Sequence, residues 1–161
     1  MRVLAIDPGY GRCGIAVLEK TARGETLLFS DCIETASKDD FGERLAAVAS
    51  AVVRALTEHA PDCMALEQLF FAKNQKTAMH VAEVRGALIQ IASERDIPVF
   101  EYAPAQVKSA TTGSGNATKQ QVAGMVRHLV RIDKPIKHDD EFDAIALGLT
   151  HLASAKVLLA R

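Results

Sequence analysis

The sequence predicts an α/β fold, with a mixed sheet of five strands flanked by helices. Three strand-like runs follow one another through short turns near the N-terminus, which predicts an antiparallel meander. Further strand-like runs then alternate with stretches whose apolar residues recur at helical spacing. That alternation is typical of strands joined by helical crossovers, so the sheet is expected to contain both antiparallel and parallel pairs.

The meander and the first helix are expected in the first 59 residues. An apolar run that stops at Asp7-Pro8-Gly9 is typical of a strand that ends in a turn. Two more strand-like runs follow, and a helix comes next that either Asp39 or Asp40 is placed to cap. The expected ranges are 2–7, 14–19 and 25–35 for the strands and 41–59 for the helix.

The remaining residues supply two strands and four helices. Thr118 is placed as the N-cap of one of these helices. The expected ranges are 63–70 and 98–102 for the strands and 77–95, 106–112, 118–131 and about 139 to near the C-terminus for the helices. No linker, repeat or low-complexity segment interrupts them, so a single domain over residues 1–161 is expected.

Composition narrows the class of protein. A chain of 161 residues, 48% hydrophobic and 24% charged, is expected to bury one core. Its three cysteines are an odd number without CxxC spacing, which indicates neither a disulfide framework nor a zinc site. No apolar run is long enough for a signal peptide or a membrane span. We therefore expect a soluble cytoplasmic protein without a membrane partner.

Charge is unevenly distributed along the chain. Residues 1–67 carry 7 basic and 11 acidic groups, residues 68–137 carry 10 and 5, and residues 138–161 carry 2 and 4. A basic middle between acidic flanks suits a protein that grips phosphates with one part and holds metal with another. A solvated lysine-rich face would produce the same pattern.

Four acidic residues lie within or next to apolar segments, where an ordinary structural role does not readily explain an acid. Asp7 and Glu67 end or interrupt apolar strands, and an unpaired acid is costly to bury there. Asp140 and Asp143 lie on one face at the start of a helix that continues with the apolar stretch 144–149. Turn capping, a salt bridge and the helix dipole are the alternatives. Convergence of all four would require a cation, and hard oxygen ligands favour Mg²⁺, with Mn²⁺ as a substitute.

Four groups of motifs follow one another along the chain. They are Ile6-Asp7-Pro8-Gly9, Leu66-Glu67-Gln68 with Phe70-Phe71-Ala72-Lys73-Asn74, Phe100-Glu101-Tyr102 with Gln106-Val107-Lys108, and Asp140 with Asp143-Ala144 and Thr150-His151. In this order they resemble the motifs of the RuvC family of Holliday junction resolvases, and the resemblance covers nearly the whole chain. Asp-Pro-Gly alone is shared with other ribonuclease-H-like proteins, whereas the stretch after Glu67 and the paired acids of the last helix are more specific.

The resemblance implies a ribonuclease-H-like fold and a homodimer that makes paired nicks in a four-way DNA junction, with a branch-migration helicase complex of the RuvA and RuvB type as partner. It also implies that the four acids bind metal, that Lys108 and Lys119 support DNA binding and cleavage, and that Phe70 contacts bases near the crossover. The chain departs from the family pattern at residues 10–13, Tyr-Gly-Arg-Cys.

DNA contacts are expected mainly from the basic middle of the chain, because phosphate contacts fix the position of a protein on DNA. Of the consecutive Phe70 and Phe71, one is expected to be exposed, since neighbouring residues of a strand point to opposite faces. The expected DNA-binding residues are Phe70, Lys73, Asn74, Lys76, Arg85, Lys108 and Lys119.

The expected mechanism uses two Mg²⁺ ions held by the four acids, with Lys119 as first choice and Lys108 as second for stabilising charge on the phosphate. Two alternatives stay open: another ribonuclease-H-like nuclease of the YqgF type, and a junction-binding protein without catalytic activity. A sugar-kinase or actin-like ATPase also opens with an acid and a glycine turn, but 161 residues are too few for its two domains.

Overall fold

A computed structural model describes residues 1–69 and 75–158 of the chain. These residues form a five-stranded sheet and five helices. The strands are β1 (Arg2–Asp7), β2 (Arg12–Thr21), β3 (Gly24–Glu34), β4 (Cys63–Glu67) and β5 (Val99–Tyr102). The helices are α1 (Phe41–His59), α2 (Gln75–Ser93), α3 (Pro104–Thr112), α4 (Lys119–Leu129) and α5 (Asp139–Leu158).

The sheet is mixed, as the sequence predicts. Its strand order is β3-β2-β1-β4-β5. The first three strands form the antiparallel meander, whereas β4 is parallel to both β1 and β5. The carboxyl ends of β1, β4 and β5 therefore lie at one edge of the sheet, where α/β proteins gather their ligand sites.

Alternation along the central strands divides the core into two layers. One layer contains Leu4 and Ile6 of β1 and Met64 and Leu66 of β4, which all face α1 and α2. The intervening residues face α5, against which α3 and α4 pack. Small side chains dominate on that second face, which lets α5 lie close to the sheet. They include Ala5, Ala16 and Ala65.

Close approach of α5 to the sheet also depends on two glycines. A Cβ atom on Gly148 of α5 would lie 2.4 Å from Leu18 Cδ1. A Cβ atom on Gly14 of β2 would lie 1.9 Å from the carbonyl oxygen of Asp140. Since the second contact is with backbone, Gly14 fixes where α5 can begin.

Most predicted boundaries agree with the structure to within a few residues. Asp40, rather than Asp39, caps α1 by accepting a hydrogen bond from the backbone of Glu43. Thr118 caps α4 as predicted. The expected extension of β4 to residue 70 is wrong: the strand ends at Glu67, where its pairing with β5 stops at Tyr102. Helix α3 begins at Pro104 rather than 106, because proline is favoured in the first turn of a helix.

Within residues 1–69 and 75–158, no helix combines the length and the apolar character that a bilayer span requires.

Candidate active site

Asp7 and Glu67 are neighbours at the carboxyl ends of two parallel strands. Ile6 is paired with Leu66, so the next residue of each strand emerges at the same edge of the sheet. Strand alternation turns both acids toward the face that α5 covers, because Ala5 and Ala65 lie in that layer. Their side chains share a hydrogen bond. When two carboxyl groups share a site, the pKa of one of them is raised, and a cation bound between them counteracts that effect.

Helix α5 brings the other two acids to this edge. Asp140 lies in its first turn and Asp143 three residues later, and the helix start lies against Gly14 of β2. Burial raises the pKa of Asp7 well above its ordinary value, and the charges of Glu67, Asp143 and Asp140 raise it further. The pKa of Asp143 is raised chiefly by burial as well. The structure therefore brings all four predicted acids into one electrostatic cluster.

Lys119 forms salt bridges with two acids of α5. Its Nζ atom lies 3.0 Å from Asp143 Oδ2 and 2.6 Å from Asp139 Oδ2. Burial works against the charged form of Lys119, but the two carboxylates outweigh it and raise the pKa of the lysine. Lys119 and Lys108 both lower the pKa of Glu67, against the larger raising effect of burial. Both predicted lysines thus act on the acidic cluster.

Arg12 and Asp139 belong to the site although sequence reasoning does not single them out. Arg12 Nε lies 3.1 Å from Asp140 Oδ2, and its Nη1 lies 3.7 Å from Asp139 Oδ1 and 3.2 Å from His138 Nδ1. His138 Nε2 in turn lies 2.8 Å from Glu34 Oε1. The sequence contains only weak signals for Arg12 and Asp139. Arg12 lies in the stretch that departs from the family pattern, and Asp139 directly precedes the predicted acid Asp140.

Arg85 has partners within the protein, and its expected DNA contact stays a prediction. Its guanidinium donates to the backbone carbonyl of Glu67 and to the side chain of Glu101, and only 12% of the side chain is exposed. The residue thereby ties α2 to the end of β4. Phe70, Lys73 and Asn74 lie outside the described residues, as does the side chain of Lys76, so these expected DNA contacts stay predictions.

The chemistry of the cluster fits a divalent metal. All four acids offer hard oxygen donors, which Mg²⁺ and Mn²⁺ prefer. Asp140 Oδ2 is buried and makes no hydrogen bond to another described residue, although Arg12 is near. Within the described parts of the chain, no group of three or more histidine, cysteine, aspartate or glutamate side chains is arranged so that it could hold a metal ion as it stands. Lys119 and Arg12 instead neutralise Asp143 and Asp140.

A meander followed by two parallel strands, with acids gathered at one sheet edge under the last helix, is the arrangement of a ribonuclease-H-like protein. A family profile described as "Crossover junction endodeoxyribonuclease RuvC" matches residues 3–151. The chain belongs to the RuvC family.

Similar proteins span almost the whole chain. A crossover junction endodeoxyribonuclease RuvC of Streptomyces griseus is 42% identical over 94% of this chain and 75% of its own length. The same enzyme of Thermosipho melanesiensis is 40% identical over 92% of this chain and 94% of its own. The structure of Thermus thermophilus RuvC in complex with a Holliday junction substrate has a TM-score of 0.88 at 33% identity and covers 98% of this chain and 96% of that one. The fold predicted from the sequence is thereby confirmed.

Proposed function

We propose that this chain resolves four-way DNA junctions by metal-dependent hydrolysis of one phosphodiester in each of two symmetry-related strands. The observation that carries the proposal is the convergence of Asp7, Glu67, Asp140 and Asp143 at one edge of the sheet. The Thermus relative, which was solved with a Holliday junction substrate, supports the choice of DNA. In the reaction a water oxygen bonds to phosphorus, the bond to the 3′ oxygen breaks, and that oxygen takes up a proton.

The four acids would hold two Mg²⁺ ions, with Mn²⁺ as a substitute. When bound, such ions supply positive charge to the phosphate and lower the pKa of water. Four carboxylates carry more negative charge than the neighbouring Lys119 and Arg12 balance, so the cluster keeps an attraction for further cations. Metal binding at Asp143 would require the Lys119 ammonium to move away, since it lies 3.0 Å from the Asp143 carboxylate.

Lys119 has the geometry for a second role. Its salt bridge to Asp139 keeps the ammonium beside the cluster even when Asp143 is taken by another cation. From there it would contact the phosphate that the metals hold and stabilise the charge that develops on it. Lys108 acts on Glu67 from α3 and is the second candidate for this role.

A homodimer would give the two active sites their fixed separation. Helix α2 is the candidate interface, because Met79 is 65% exposed and Ile89 is 38% exposed on it. We place this single-domain protein in the cytoplasm, acting with a branch-migration complex of the RuvA and RuvB type. Sedimentation at micromolar concentration with junction DNA tests the dimer, and a purely monomeric protein would contradict it.

Cleavage assays test the function itself. The protein is incubated with an end-labelled four-way junction or a linear duplex of the same sequence, in Mg²⁺, in Mn²⁺ or in EDTA. We expect paired nicks in the junction only, and only with metal. Junction binding without cleavage in any metal would favour the non-catalytic alternative, and equal cleavage of the duplex would favour a nuclease of the YqgF type.

A further inference from the structure

Glu141 is a buried acid that the proposed mechanism does not use. It is 4% exposed and lies on the first turn of α5, between Asp140 and Asp143. A carboxylate is costly to bury unless it is paired and hydrogen-bonded. Both conditions are met here by groups from outside α5.

Two residues from other parts of the chain meet at this carboxylate. Ser30 Oγ of β3 donates to Glu141 Oε1 over 2.6 Å. Lys134 Nζ lies 2.7 Å from the same oxygen and also donates to the backbone carbonyl of Ser30 over 2.6 Å. We call Ser30, Lys134 and Glu141 the Glu141 clamp. It ties the start of α5 both to the edge strand of the sheet and to the segment that leads from α4 to α5.

The clamp acts on the same few residues as the Gly14 contact. Gly14 limits how closely the backbone of Asp140 can approach β2, and the clamp holds the next residue toward β3. The Gly14 contact sets the distance between α5 and β2, and the Glu141 clamp holds the start of α5 against β3. Because consecutive residues of a helix move together, a displacement of Glu141 would displace Asp140 and Asp143 with it.

Stability alone is a poor explanation for such an arrangement. An ion pair with a buried carboxylate recovers about what that carboxylate loses in desolvation, and apolar residues of similar size often stabilise a protein as well or better. Here only Glu141 is buried, since 47% of the Lys134 side chain is exposed. What the contacts do fix is the position of Glu141, because its carboxylate reaches both Ser30 and Lys134 in one arrangement only.

We propose that the Glu141 clamp positions Asp140 and Asp143 for binding of a divalent metal. Ser30, Lys134 and Glu141 are thus positioning residues, which act through the two acids without touching metal or DNA. The inference rests on the proposed function of those acids, and it adds to it a requirement for an intact contact between β3 and α5.

Metal binding without DNA is the sharpest test, because Lys134 then has no phosphate to contact. Free Mn²⁺ is counted by electron paramagnetic resonance during titration of the whole protein. The variants are Lys134→Met, the conservative Lys134→Arg and, as a matched control, Lys137→Met, whose lysine pairs with Glu34 at the surface. Positioning predicts that Lys134→Met binds Mn²⁺ about 10-fold more weakly, as outer-shell substitutions do.

The sign of the effect separates positioning from simple electrostatics. Loss of a positive charge near a cation site should strengthen Mn²⁺ binding, so electrostatics alone predicts a tighter Lys134→Met protein. Lys134→Arg should recover most of the affinity, and Lys137→Met should stay within about twofold of wild type. Equal or tighter binding in a folded Lys134→Met protein would overturn the proposal.

A second variant keeps the test decisive if Lys134→Met does not fold. Ser30→Ala leaves every charge in place and removes only the hydroxyl donor to Glu141, so a smaller loss of Mn²⁺ affinity in the same direction is expected. Unchanged affinity in Ser30→Ala would then contradict the clamp. Failure of the wild-type protein to bind Mn²⁺ would instead contradict the proposed function, so the two failures are distinguishable.

Discussion

The ammonium of Lys119 lies 3.0 Å from the carboxylate of Asp143, so one of the acids that we propose as metal ligands is paired with a lysine of the protein itself. The same ammonium also pairs with Asp139 at 2.6 Å. Metal and lysine therefore compete for Asp143, while Asp139 keeps the lysine within reach of the site. This relationship gives Lys119 two opposing effects that experiment can separate.

Lys119→Met is expected to strengthen metal binding and to weaken cleavage. In the absence of DNA, removal of the competing ammonium should raise Mn²⁺ affinity about two- to fivefold, the equivalent of an exposed ion pair. Junction cleavage should nevertheless fall roughly 100-fold, because the charge on the phosphate loses a stabilising partner. Mn²⁺ titration and single-turnover cleavage measure the two effects.

Lys38→Met is the matched control, since Lys38 is exposed and lies before α1. Neither affinity nor cleavage should change in it. Weaker Mn²⁺ binding in Lys119→Met would contradict the competition and indicate that the lysine supports the metal site.

The sequence predicts the acidic cluster well because strand alternation is a local property. Asp7 and Glu67 are the last residues of two apolar strands, and the parallel pairing of these strands places both acids at one edge of the sheet. The pairing of Arg85 with Glu101 could not be predicted, because basic residues in a helix look alike whether they face solvent or a carboxylate. The role of Arg12 could not be predicted either, because its partners Asp139 and Asp140 lie more than 120 residues away along the chain.

Asp7→Asn should stabilise the metal-free protein at neutral pH. Burial and three neighbouring acids raise the pKa of Asp7, so the ionised carboxylate opposes folding. The stability that its protonated form contributes is full below the ordinary pKa and is lost as pH rises through the raised value. An asparagine avoids that loss, and we expect a gain of roughly 0.5–2 kcal/mol in EDTA at pH 7.5. Thermal unfolding from pH 8 to pH 5 should show the gain shrinking with acidity.

Two comparisons complete this test of Asp7. Mg²⁺ should stabilise the wild-type protein but not Asp7→Asn, because a ligand that binds only the folded state raises its stability. Asp133→Asn, at an acid that is 71% exposed, should change stability at no pH. If Asp7→Asn lowers stability in EDTA, the carboxylate is a structural partner and the metal proposal for Asp7 is weakened.

His151→Gln should destabilise the protein most at neutral pH. His151 is 1% exposed, with Nδ1 2.9 Å from the Tyr102 hydroxyl and Nε2 3.1 Å from Cys63 Sγ. Burial lowers its pKa. The stability that the neutral imidazole contributes is therefore full above the ordinary histidine pKa of about 6.5, and it is lost as pH falls through the lowered pKa of the folded state. We expect a loss of about 1–3 kcal/mol at pH 7.5 from the broken hydrogen bonds, and a smaller gap at pH 5.5.

Urea unfolding of wild type and His151→Gln across that pH range measures the gap. The exposed His128, whose Nδ1 atom lies 2.8 Å from the carbonyl oxygen of Gly124, provides the control. His128→Gln should leave the free energy of unfolding within about 0.5 kcal/mol of wild type at each pH. A gap for His151→Gln that widens in acid would mean that the buried imidazole is charged.

Gly14→Ala should damage both fold and site, because no space exists for the added methyl group. Its Cβ atom would lie 1.9 Å from the carbonyl oxygen of Asp140 and 2.5 Å from the carbonyl carbon. Neither atom can move unless α5 or β2 moves, so we expect a loss of about 1–3 kcal/mol in stability. The displaced α5 would carry Asp140 and Asp143 with it, and a shift of about 1 Å can lower cleavage about 100-fold.

Gly124→Ala is the matched control, since a Cβ atom there meets nothing within 4 Å. Gly124 lies inside α4, where alanine is favoured over glycine, so this variant should gain about 0.5–1 kcal/mol and cut junctions at the wild-type rate. Thermal unfolding and cleavage of both variants at a temperature where each is folded separate the loss of stability from the loss of geometry. Wild-type cleavage by folded Gly14→Ala would show that the site tolerates a displaced helix start, and the close contact between β2 and α5 would then serve packing alone.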